Sequence, residues 1–197
     1  MVALDRSFRR HCRDRRAADF AGARAGLATF SFPILAQLHG ALDRVYKLAV
    51  SLPEAPLERF QAKIKGLPQT TEAERLVIQR IGQDVFREAL MAYWGSRCPL
   101  TGITEPALLR ASHIVPWADC TDAQRLDVHN GLLLSALWDA AFDRGLVSFA
   151  DDGSVLASLA LSEPARKALG VASAPPLAGL RDGHRANLAL HRKRNEF

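Results

Sequence analysis

Cysteine is scarce in this 197-residue chain: Cys12, Cys98 and Cys120 are odd in number, and no two of them form a CxxC pair. That count excludes a disulfide framework and a four-cysteine zinc site, and reduced thiols are its simplest account. Long apolar runs are also missing. The opening MVALDRSFRRHCRDRR has no hydrophobic stretch of the kind a signal peptide needs. Ala25 to Leu42 lacks charge, but Thr29, Ser31, Pro33, Gln37 and His39 interrupt it. It reads as a buried helix beginning near Pro33, not a membrane span. No segment repeats. These absences predict a cytoplasmic protein that makes no membrane contact.

A hydrophobic content of 48% is ample for a packed core, and the length suits one domain with an attached element or two small ones. The net charge is +5 and the pI about 9.5, but the distribution says more than the total. Residues 1–24 carry seven arginines against three acids, and residues 181–197 five basic residues against two acids. Residues 98–163 reverse the balance, with three basic residues against nine acids. Basic ends can hold a polyanion while central carboxylates hold a cation; alone, such runs are more often solvated faces.

Leu108 to Phe149 concentrates the chemistry. Leu108 to His113 reads as a strand that delivers Ser112 and His113 to its end, and Pro116 stops it. Trp117 to Val128 has no clean period and is expected to be a loop. Asn130-Gly131 marks a turn into a second strand over Leu132 to Leu134, able to pair with the first. Ser135 can cap a helix from Ala136 to Arg144, with Gly145 as its stop, and Asp139 and Asp143 lie four residues apart on one face. His113, Asn130 and Asp139 thus converge. A neutral imidazole can take a proton from water at physiological pH, and a carboxylate-held cation can neutralise a phosphate. An amide does not titrate, so Asn130 is suited to bonding the loop and orienting the histidine. Taken singly, each is a strand-end, turn or solvated helix residue.

SHIVPW around His113, DVHNGLLL around Asn130 and LWDAAFDRGLVSF around Asp139 together resemble the HNH endonucleases, and IGQDVFREALMAYWGSRCPLTG is similar to the lead-in of their restriction-type subgroup. The resemblance covers about Ile78 to Phe149, with a weaker echo in NLALHRKRNEF. It implies an α+β fold with a ββα-metal (His-Me finger) core and DNA as substrate. It also implies one divalent metal ion: Mg²⁺ first, with Mn²⁺, Ni²⁺ or Zn²⁺ as alternatives. His113 would be the general base, Asn130 would fix its loop, and Asp139 would bind the metal in place of the usual histidine or asparagine. Many relatives place a metal-binding Asp or His just before the base; here that position is Ser112, a poor ligand for Mg²⁺. Asp143, Asp127 and Asp119 are the candidates for the missing ligand.

The flanks follow from periodicity and turn signals. Leu35, Leu38, Leu42, Val45 and Ala49 have helical spacing until Pro53, and Leu57, Phe60 and Ile64 continue it to Gly66, which gives a helical hairpin. Residues 1–70 are therefore read as a helical N-terminal region, able to pair two copies as a homodimer, and 71–197 as the nuclease domain. Thr71 and Glu74 have capping-box spacing, and Val85, Phe86, Ala89, Leu90 and Tyr93 form the apolar side of the next helix. Asp151-Asp152-Gly153 marks a hairpin. Ser162 to Ala168 reads as a short helix, and Asp182 can cap a last one. Arg192, Lys193 and Arg194 on that helix, Arg110 on the first strand, and the arginines at 6, 9, 10, 13, 15 and 16 are candidate phosphate contacts; His184 and His191 are weaker metal candidates. The reading is a DNA endonuclease; its alternative is the same fold with a weakened site that binds DNA without cutting. A purely helical scaffold would leave the His113 constellation unexplained.

Overall fold

A computed structural model describes residues 32–52, 54–68 and 70–197. The arginine-rich start and Cys12 lie outside the described residues. Backbone contacts divide the chain into two compact units, Met1–Val45 and Tyr46–Phe197. The first contributes, among described residues, most of helix α1 (Leu35–Ser51), whose one buried residue is Ser51. The expectation of a buried helix here fails: Leu35 is 71% and Leu42 57% exposed. Apolar spacing showed which face could be buried, not whether anything covers it. No helix among the described residues is long and apolar enough to cross a membrane.

The second unit is α+β. Helix α2 (Glu54–Ile64) packs Phe60 inward against helix α3 (Glu72–Tyr93). Thr71 starts α3 as expected: its hydroxyl accepts from the Glu74 amide at 3.2 Å while the Glu74 carboxylate accepts from the Thr71 amide at 2.9 Å. Val85, Phe86, Ala89 and Leu90 form a buried stripe on α3. Strands β1 (Leu109–His113) and β2 (Gly131–Ser135) pair antiparallel, with His113 opposite Gly131 and Ser112 opposite Leu132. Helix α5 (Ala136–Asp143) follows β2 directly and packs back on both strands. The Arg87 guanidinium, donating to the carbonyls of Leu109 at 2.8 Å and Pro106 at 2.6 Å, pins the start of β1 to α3.

Gly131 permits the close approach of α3. A Cβ there would lie 2.5 Å from Phe86 and 2.8 Å from Leu90, so any larger residue would push α3 away from the β1–β2 pair. The segment expected to be an irregular loop is ordered: helix α4 (Asp122–Leu126) lies between short 3₁₀ turns at Trp117–Asp119 and Val128–Asn130. Its start is a capping box of Thr121 and Gln124, a spacing written in the chain without an accompanying apolar period. Ser135 sits at the N-cap of α5 without making a side-chain cap bond.

A second antiparallel pair, β3 (Val147–Phe149) and β4 (Val155–Ala157), flanks the Asp151-Asp152-Gly153 turn. Helix α6 (Glu163–Leu169) ends at left-handed Gly170, and helix α7 (Asp182–Arg194) closes the unit. The N-cap of α7 is Arg181, not Asp182; its backbone amide donates to His184 Nδ1 at 3.1 Å. The core runs from α3 through β1, β2 and α5 to β3 and α7, filled by Leu109, Leu132, Leu134, Trp138, Phe142, Phe149 and Leu188.

Candidate active site

Strand alternation sends successive side chains of β1 to opposite faces. On one face, Ser112 lies beside the Asp139 carboxylate, and Arg110 adds positive charge nearby. Burial pushes the Asp139 carboxyl above its ordinary value and Asp143, one turn on, adds to that, while Ser112 and Arg110 oppose it. Asp139 lies in the first turn of α5, where a carboxylate meets the positive end of the helix. Asp143 is exposed.

On the other face, the His113 ring stacks on Phe86, with centroids 3.9 Å apart and planes 17° from parallel, and meets Trp117 edge-on at 5.5 Å. Its Nε2 lies 2.9 Å from the Arg125 carbonyl. A carbonyl only accepts, so Nε2 carries the hydrogen, and the neutral ring keeps its lone pair on Nδ1. Burial lowers the His113 pKa, the Arg125 charge adds to the lowering, and the bond to the carbonyl opposes it. The ring is therefore held neutral to more acidic pH than a free imidazole.

Asn130 is 3% exposed and bonds entirely to the segment after β1. Its Oδ1 accepts from the Val115 amide at 2.8 Å, and its Nδ2 approaches the Val115 carbonyl at 3.3 Å, the Gln124 carbonyl at 3.2 Å and Cys120 Sγ at 3.4 Å. The carbonyls of Gln124 and Arg125, at the end of α4, thus receive Asn130 and His113 respectively. Carbonyls in a last helical turn have no partner within the helix, which leaves both free for this use. Sequence reasoning missed Phe86, Trp117, Gln124 and Arg125 as supports of the site.

Other candidates lie elsewhere. Asp119 pairs with Arg194 at 2.5 Å and Asp127 with His129 at 3.0 Å, so each carboxylate already has a partner of its own. Burial alone would raise the Asp127 carboxyl, but its hydrogen bonds from His129 hold it below the ordinary value. Arg192 donates to the Phe149 carbonyl and to Asp151, each at 2.7 Å, and Lys193 is exposed. Arg110 is exposed and donates to the Ala107 carbonyl at 2.9 Å. His184 is 0% exposed, and burial first, then His129, pushes its pKa down to about 3. His191 is a buried link: Nε2 donates to the Phe142 carbonyl at 3.2 Å and Nδ1 accepts from Ser148 at 3.0 Å. Among the described residues no three His, Cys, Asp or Glu side chains form a group able to hold a metal ion.

Two antiparallel strands followed by a helix, a histidine at the end of the first strand and a carboxylate in the first turn of the helix make a ββα unit within an α+β fold, the arrangement on which HNH-type ββα-metal proteins are built. Residues 98–150 match the family model described as HNH endonuclease. No curated protein matches the chain. That family points to nuclease or DNA-binding function, and its nucleases generally use a divalent metal.

Proposed function

We propose that residues 71–197 form a metal-dependent endonuclease that hydrolyses DNA phosphodiesters, with His113 as general base. The observation that carries this reading is the Nε2–H bond of His113 to the Arg125 carbonyl, because it leaves the Nδ1 lone pair for a proton from water. Water attacks phosphorus as Nδ1 takes its proton; the bond from phosphorus to the sugar oxygen breaks, and that oxygen leaves with the electron pair. Asn130 holds Val115 and the end of α4 in place, so that His113 turns on a fixed loop.

Asp139, with Asp143 beside it, offers oxygen ligands only, which suits a hard cation such as Mg²⁺ or Mn²⁺ completed by substrate phosphate and water. Bound there, such an ion would neutralise phosphate charge and the departing oxygen. Ser112, beside Asp139, favours the charged form of that carboxylate. Because Ser112 and His113 leave β1 on opposite faces, a phosphodiester lying across the strand end would meet both groups. Lys193 and Arg110 are exposed cations of the predicted set and would meet phosphate, whereas Arg194, also exposed, is paired with Asp119.

Supercoiled plasmid incubated with Mg²⁺, Mn²⁺ or Ni²⁺, with and without chelator, tests the reading. His113→Ala should lower cleavage by about 10²-fold or more, with DNA binding nearly intact. Equal loss of both sinks the assignment. The second reading is a DNA-binding module that does not cut. It is favoured by Ser112 standing where an acid would complete the ligand set, and by the missing three-ligand group among described residues. DNA binding with no cleavage in any of the three metals would establish it.

A further inference from the structure

We propose that Arg125 is a positioning residue, whose side chain braces the segment after β1 so that its own backbone carbonyl fixes the His113 ring. This rests on His113 as general base for its functional meaning, though not for its geometry. The residue acts twice. Its carbonyl accepts the His113 Nε2 hydrogen at 2.9 Å. Its guanidinium turns back over the loop that it closes: Nε donates to the Trp117 carbonyl at 2.9 Å, the guanidinium carbon lies 5.1 Å from the centroid of the Trp117 ring, and Nη1 reaches Asp122 at 2.9 Å.

The brace is anchored at its far side. Trp117 meets the edge of His113 and packs on α3 at Gly82, where an added Cβ would lie 2.7 Å from the indole. Trp117 therefore has no room to retreat, and a side chain bonded to its carbonyl is held against rigid helix. α4 has only five residues, too few to be stable alone, so tertiary bonds must hold it. Without the Arg125 side chain the capping box at Thr121, the Asn130 bond to Gln124 and the buried Leu126 still hold α4 to the core, but the side-chain tie from its last turn to the Trp117 carbonyl and ring is gone. The Arg125 carbonyl then loses its fixed direction, and the His113 ring can turn or take the other tautomer with its lone pair on Nε2.

A purely structural arginine would lower the melting temperature and leave the histidine as it was. A phosphate-binding arginine would raise KM and flatten the salt dependence of binding. A positioning arginine lowers kcat at unchanged KM and alters the ring. The full chain carrying Arg125→Met, labelled with ¹⁵N on its histidines, separates the three. The His113 signals are assigned by their loss in His113→Ala. In the wild-type chain His113 should show the Nε2–H tautomer; in Arg125→Met it should show a mixture of both. Plasmid cleavage should fall about 10- to 100-fold in kcat, as small misplacements of catalytic groups do, with KM for DNA within about 3-fold by the same reasoning. Arg125→Lys, which keeps one donor over the loop, should recover part of kcat.

An unchanged tautomer in Arg125→Met overturns the proposal, as does a loss confined to KM. If Arg125→Met does not fold, Asp122→Asn, which loosens the guanidinium from one side, must still shift the tautomer ratio in the same direction or the proposal fails. If the wild-type chain cleaves nothing, the endonuclease reading fails while the tautomer comparison still decides the role of Arg125.

Discussion

Asn130→Ala removes a side chain that serves four partners at 3% exposure. The largest loss is at the Val115 amide, whose bond to Oδ1 is 2.8 Å long and which lies in a partly buried turn. An orphaned buried donor costs about 1–3 kcal/mol, and weaker losses at the Gln124 and Val115 carbonyls bring the expected total to about 2–4 kcal/mol. Against a typical domain stability of about 5–15 kcal/mol, that is large but survivable. Urea unfolding read by linear extrapolation measures it. Asn130→Asp sharpens the test, because it keeps the shape and the Oδ1 acceptor but turns a second oxygen toward the carbonyls of Val115 and Gln124. The new carboxyl should have a folded pKa raised above its unfolded value of about 3.9, since only its protonated form can donate there. Relative to the wild-type chain, this variant should be most stable below about pH 4 and lose stability as pH rises through that raised value. A cost under about 0.5 kcal/mol for Asn130→Ala, or a pH-independent difference for Asn130→Asp, would refute the view that Asn130 holds the loop by buried hydrogen bonds.

Asp139→Ala should raise the Mn²⁺ concentration needed for half-maximal cleavage, and Asp143→Ala should raise it less; unchanged titrations in both would place the metal elsewhere. His184 has a folded pKa of about 3 against about 6.5 unfolded, so the unfolded chain binds its proton first as pH falls. Stability should decline from about pH 6.5 downward by up to about 1.4 kcal/mol per pH unit from this group, and His184→Phe should flatten urea-derived slopes between pH 6.5 and 4.5 accordingly. Lys193→Ala should reduce the log-log salt slope of DNA binding by about 0.9 if that exposed side chain meets one phosphate, whatever the duplex sequence. Arg192→Ala should instead show mainly as lost thermal stability, because its bonds to Phe149 and Asp151 tie α7 to the β3–β4 hairpin. Gly131→Ala should destabilise the fold by about 1–3 kcal/mol through overpacking against Phe86 and Leu90, measured by the same urea series.

The amino-acid order alone determined the ββα sequence of elements, because short apolar runs, the Asn130-Gly131 signal and the spacing of Asp139 and Asp143 are local properties of the chain. His113 and Asn130 were legible for the same reason: residue type at the end of an element is written in the order itself. Local order also held the start of α4, in the spacing of Thr121 and Gln124, although no apolar period accompanied it. What no local pattern contains is the identity of partners distant in sequence. Phe86 reads as one apolar position on a helix, and only the packing of α3 against Gly131 places its ring under His113. Arg192 and Arg194 read as free cations beside Lys193; the fold brings Asp151 and Asp119 to them from 41 and 75 residues away. Tertiary structure likewise decided that His184 and His191 are buried and that α1 exposes Leu35, Leu42 and Tyr46. Charge and hydrophobicity report what a side chain can do, and the surfaces that meet on folding decide which of those possibilities is used.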